Sequence, residues 1–229
     1  ALVCEQFSAA LAKLGYPPCP GKVMVNNPAW RLQQRQWHER LYQWSSNYDP
    51  NAMLELAIAV DARPIAGNAE LFEPLQRQIV ALGGNDGLMR QFAAPALSFN
   101  TPLTLFGKVK TDGGGLDIKK GGVFPIVQGL RALALKAGIA ETNSFRRADL
   151  LVQAGVLHAS DASDAQQALS VFLRLRLTDQ LRKLKEGQAI GNHIDVAALR
   201  RLDRELLRDA LRVVNQFKDI VADRFKLRG

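Results

Sequence analysis

The sequence predicts a mostly helical α+β protein. Apolar residues recur at helical spacing through most of the chain, helix-capping dipeptides punctuate it, and short β-like runs are confined to a few places. At 229 residues and 47% hydrophobic composition it can bury one large core or two modest ones. No apolar run approaches the roughly 18 residues of a membrane helix, and no charged-then-apolar leader opens the chain.

Taking the elements in order, Val3, Phe7, Leu11 and Leu14 predict an amphipathic helix that Gly15 ends. Tyr16-Pro17-Pro18-Cys19-Pro20-Gly21 predicts an ordered loop, because proline removes backbone donors and fixes φ. A short strand is expected at Lys22–Val25. Asn27-Pro28 reads as a cap followed by proline at the first helical position, opening a helix to about Ser45. Trp30, Trp37, Leu41 and Trp44 share one face of it, and an aromatic stripe at that spacing reads as core.

After the Asp49-Pro50 turn, the run Leu54–Val60, broken only by Glu55, reads as a buried strand delivering Asp61 to a sheet edge, followed by Arg63, Pro64 and Gly67. An unpaired carboxylate cannot lie deep among apolar neighbours, so Asp61 sits at a mouth, pairs with Arg63 or holds a metal. Asn68 opens a helix that Gly83-Gly84 closes.

A second, mainly helical half follows, beginning with a helix over 86–97. The runs 103–109 and 116–119 flank a glycine-rich reversal and predict a small hairpin, on which Asp117 and Lys119 would point to one side. That pair either completes a polar cleft or forms a surface ion pair. Phe124-Pro125 and Thr142-Asn143-Ser144 open two more helices. A long helix from Ser160 to Glu186 carries a seam of Leu169, Leu173, Leu177, Leu181 and Leu184, and a last one runs from about Asp203 to Phe225. Long amphipathic helices beside shorter ones make a bundle. The expected division is 1–84 and 85–229.

Two cysteines are too few for a disulfide framework or zinc site, which places the chain by default in the reducing cytoplasm. The net charge of +8 favours an anionic partner, but the lysines and arginines are spread over helix faces and form no basic, aromatic-studded groove. A nucleotide or an acidic protein therefore ranks above nucleic acid. His38, His158 and His193 have no metal-ligand spacing.

The strings Tyr16–Met24, Asn27–Arg31 and Val60-Asp61-Ala62-Arg63-Pro64, with Leu105–Gly107, Asp117–Lys119, Phe124–Val127, Arg131–Leu135 and Glu141–Asn143, resemble in their order one bacterial family. It is that of the putative signal-transduction nucleotidyltransferases, similar to PII uridylyltransferases, in which upstream regulatory modules (cyclic-nucleotide-binding and CBS) often precede the catalytic part. The resemblance implies that 1–84 is the C-terminal part of a polymerase-β-like nucleotidyltransferase domain and 85–229 a putative substrate-binding domain. It implies that Asp61 is the third catalytic carboxylate, holding Mg²⁺ only together with two upstream acids. Nucleoside triphosphate would be the substrate and a protein or small molecule the acceptor. Arg63 would steady phosphate or pair with Asp61, the latter reading preferred; Lys22 would meet phosphate or stand as a solvated loop lysine, again the latter.

The family's Gly-Ser turn and Asp-x-Asp pair are absent from this sequence. The chain alone is therefore expected to transfer nothing, with more protein expected before Ala1. The alternative is a non-catalytic regulatory or protein-interaction module, and pairing of the long seam helices between chains would make it a homodimer.

Overall fold

The computed structural model describes residues 2–103, 109, 111 and 115–227. Helix α1 (Leu2–Lys13) ends at Gly15, whose φ of +91° is one that only glycine adopts without strain. The face of α1 that carries Leu2, Val3 and Phe7 is exposed. The strand expected at Lys22–Val25 does not form: this segment is loop, Lys22 takes a left-handed φ of 55°, and the Asn27 side chain donates to its carbonyl. Three prolines just upstream leave the segment too few donors to join a ladder.

Asn27 caps as expected, its side chain accepting from the Ala29 amide, but the helix it opens is a single 3₁₀ turn, Pro28–Trp30. The chain breaks there and restarts as α2 (Gln34–Ser46). The break folds Trp30 back onto the helix, so that the rings of Trp30, Trp37 and Trp44 form a triangle with centroids 6.0, 6.1 and 6.2 Å apart. Such tilted and edge-on contacts suit the ring quadrupoles.

The largest correction concerns the run before Asp61. It is not a strand but a helix, α3 (Pro50–Val60), capped by Asp49, whose side chain accepts from the amides of Asn51 and Ala52. Met53, Leu56 and Ala57 are buried at helical spacing while Leu54 is 60% exposed. The segment is rich in alanine, the best helix former, and an all-apolar strand pattern cannot be told from a buried helix by periodicity alone. Asp61 is therefore the C-terminal residue of a helix, not a residue at a sheet edge.

Helices α4 (Glu73–Ala81) and α5 (Asp86–Ala93) follow, with residues 94–97 a further 3₁₀ turn. Residues 2–84 hold no strand among the described residues. Strand β1 (Leu116–Asp117) is two residues long, and Leu103 and Val109 form one antiparallel bridge; most of the expected hairpin, residues 104–108, 110 and 112–114, lies outside the described residues. The partner of β1 comes from much farther along the chain. It is β2 (His193–Ile194), antiparallel, with Leu116 opposite Ile194.

A π-helical turn over 119–123 leads into α6 (Phe124–Lys136), which α7 (Ser144–Gln153), α8 (Ala159–Lys185) and α9 (Arg201–Phe225) surround. Helix α6 is buried on nearly every side. It lies so close to α9 that a Cβ on Gly129 would come within 2.6 Å of the Phe217 ring. One continuous set of buried side chains runs from Leu41 through Phe92, Leu130 and Phe172 to Phe225, so α2 and α3 share a core with the helices that follow. The mostly helical α+β class is the one observed.

Candidate functional site

Asp61 lies where the first helices meet the bundle. The C-terminus of α3 aims it at one face of α6 and at the first turns of α7, and a guanidinium from each meets it. Arg131 of α6 donates from Nε at 3.0 Å and from Nη2 to the same oxygen, while Arg147 of α7 donates from Nη2 to the other oxygen at 2.7 Å. Asp61 is thus paired, but with Arg131 and Arg147 rather than with Arg63.

The pairing extends into a chain of bonds. Arg131 also donates to the Gln128 side chain, and the buried Gln128 donates in turn to the Phe92 carbonyl at 2.6 Å, tying α6 to α5. Arg147, whose side chain is 2% exposed, donates from Nε to the Glu141 carbonyl at 2.6 Å. Its Nη1 is buried without a hydrogen-bond partner among the described residues. Glu141 accepts from the amides of Thr142 and Asn143, and Asn143 caps α7 by accepting from Phe145 and Arg146. These bonds fix the turn that delivers Arg147.

Burial alone would raise the Asp61 carboxyl pKa. The hydrogen bond from Arg131 and the charges of Arg131 and Arg147 outweigh that and hold it below the ordinary 3.8. Burial lowers Arg147, only partly offset by the charge and hydrogen bond of Asp61. The three groups carry a net charge of one positive unit in a half-dry setting.

A Mg²⁺ ion needs oxygen ligands with free lone pairs, and usually more than one carboxylate or phosphate. Both oxygens of Asp61 are committed to guanidinium groups, and no group of three or more His, Cys, Asp or Glu residues that could hold a metal ion occurs among the described residues. As this chain presents it, the site does not fit the ion.

The other expected site residues are scattered. Lys22 is exposed on its loop. Arg63, two residues past Asp61, is exposed and lines the edge of an apolar cavity beside Trp30 and Trp37. Asp117 turns its carboxylate to the amides of Lys119 and Lys120, at 3.1 and 3.0 Å, so it caps the π-helical turn; Lys119 begins that turn and is exposed instead of continuing a strand. No hydrogen bond or ion pair among the described residues joins Lys22, Asp117 or Lys119 to Asp61.

The residues that the sequence reading missed are Arg131, Arg147 and Gln128. A signal for Arg147 was present. It falls four residues before Leu151 on the apolar face of α7, and an arginine on a buried face requires a buried acid or carbonyl. Nothing local identified Asp61 as that acid.

Comparison with known proteins gives two family matches. Residues 86–225 match a family described as "Putative nucleotidyltransferase substrate binding domain", and residues 1–51 match one described as "Putative nucleotidyltransferase DUF294". No curated protein and no solved structure matches the chain.

Proposed function

Because the chain belongs to the family of putative nucleotidyltransferase substrate binding domains, matched over residues 86–225, we propose that it holds substrate for nucleotidyl transfer and does not perform the transfer itself. The observation that carries this reading is the state of Asp61. Its carboxylate is spent on Arg131 and Arg147, where it locks α3 against α6 and α7. Transfer from a nucleoside triphosphate needs groups that bind and neutralise the triphosphate, and a carboxylate already neutralised by two arginines supplies none of that. What the chain offers such a substrate is its excess of basic residues, a net charge of +8 suited to a nucleotide or an acidic acceptor.

The test is incubation of the chain with each α-labelled nucleoside triphosphate and Mg²⁺, beside calorimetric titration of the same nucleotides. Expected are binding heat for at least one nucleotide and no release of pyrophosphate. Pyrophosphate released by the purified chain, at a rate that Asp61→Asn abolishes, would overturn the division of labour proposed here.

One observation favours a second reading, a protein-interaction module. Leu173, Leu177, Leu181 and Leu184 of α8 stand 40%, 57%, 49% and 62% exposed, and Leu202 at the start of α9 is 66% exposed. Arg174 pairs with Asp203 at 3.0 Å, which sets that end of α9 beside this stripe. A row of exposed leucines on one long helix is the pattern of an interface. Light scattering of the purified chain would show whether it pairs with itself.

A further inference from the structure

The three tryptophans do more than fill a core. Trp30 and Trp37, with Ile58, Phe72 and Leu75, line a cavity of about 310 Å³ between α2, the end of α3 and α4. That volume is at the low end of the range for small-molecule sites, roughly 300–1,000 Å³. The third indole is engaged elsewhere: Trp44 is buried and donates its N–H to Glu55 at 2.7 Å. Trp30 and Trp37 are only partly buried, and their indole N–H groups bond to no described residue.

Among the described residues, the lining contains one charged residue, Arg63, and no acid. Arg63 forms no ion pair among the described residues, although Asp61 is only two positions away; that carboxylate faces the bundle and is fully used there. Pro64, also in the lining, restrains the backbone directly after the arginine. The result is an apolar, indole-walled chamber with a single uncommitted cation at its edge.

We propose that this cavity binds a small aromatic monoanion, its ring against Trp30 and Trp37 and its carboxylate on Arg63. Ring stacking on indole and a charge-assisted hydrogen bond to guanidinium are the two interactions the lining provides. The lining offers no second cation and few polar groups, so a triphosphate does not match it, and the site is separate from the substrate-holding role proposed above. It also lies entirely before residue 86, outside the segment matched to the substrate-binding family.

The test is calorimetric titration of the chain with naphthalene-2-acetate and, separately, with the uncharged naphthalene-2-acetamide. The acid is expected to bind saturably and more tightly than the amide. Arg63→Gln, at an exposed position, should weaken the acid about fivefold while leaving the amide unchanged, the scale of a rim ion pair. Ala62→Phe, exposed and in the lining, should abolish both by filling the chamber, with circular dichroism showing the helices intact. Absence of saturable binding by either compound overturns the proposal, as does equal affinity for the two that Arg63→Gln does not alter. Loss of nucleotide binding with retention of the acid would separate failure of the substrate-holding role from failure of this one.

Discussion

Asp61 and Arg147 stand 86 residues apart in sequence and meet at 2.7 Å. Around that bond the end of one helix, the side of a second and the first turn of a third are held in fixed register, since Arg131 grips the other carboxylate oxygen. Removing one partner of a largely buried pair costs more than the pair contributes, because the remaining charge is left without compensation.

Replacing Asp61 by Asn should therefore destabilise the chain by about 2–3 kcal/mol, somewhat under the usual value for a fully buried pair because the Asp61 side chain is 31% exposed. Urea unfolding of the two proteins at neutral pH measures it. Arg147→Met should cost less than Asp61→Asn, since Asp61 would keep Arg131, and the double variant should cost less than the sum of the two.

The same pair predicts the pH dependence. Asp61 has its folded pKa depressed below 3.8, so the unfolded chain binds the proton more readily. Its contribution is fully present above the unfolded value and is lost as pH falls through the folded one. The difference in stability between wild type and Asp61→Asn should stay constant from about pH 7 to pH 5 and shrink below about pH 4.

Gly129 on α6 leaves no room for a side chain, since an added Cβ would lie 2.6 Å from Phe217 and 2.8 Å from Val221. Alanine normally favours a helix over glycine by up to about 1 kcal/mol. Here the clash should win, and Gly129→Ala should destabilise by about 1–3 kcal/mol in thermal unfolding.

Asp117 caps a turn through two amides, so Asp117→Ala should lose about 1 kcal/mol of stability with no change in nucleotide affinity. A large drop in calorimetric affinity with unaltered thermal midpoint would instead return Asp117 to a substrate-contacting role.

The leucine row on α8 gives a prediction of opposite character. Leu177→Glu, at a position 57% exposed, should leave the thermal midpoint of the isolated chain nearly unchanged. If light scattering finds a dimer, the same substitution should dissociate it.

Much of the helical frame was legible because its punctuation is local. Asn27, Asn68 and Asn143 each cap a turn or helix where the sequence places a helix start, whereas Asp49 caps a helix where the sequence places a turn into a strand; the long helices fall within a residue or two of α8 and α9. The 54–61 run was misread because burial on several sides erases the polar face by which a helix declares itself. The pairing of β1 with β2 was illegible for another reason. The partner of Leu116 and Asp117 at 193–194 is set by how α6, α7 and α8 bring the chain back, which no short window contains. Asp61 was singled out correctly as a charge needing partners; that those partners were two arginines from later helices depended on tertiary packing alone.

The two-rung ladder between Leu116–Asp117 and His193–Ile194 has a dynamic consequence. It shuts a long excursion of the backbone with very few bonds, so its rungs form only after the intervening helices have docked. Deuterium uptake should reach the amides of this clasp well before those of the Ile126–Leu135 stretch, which would stay protected until the whole chain opens.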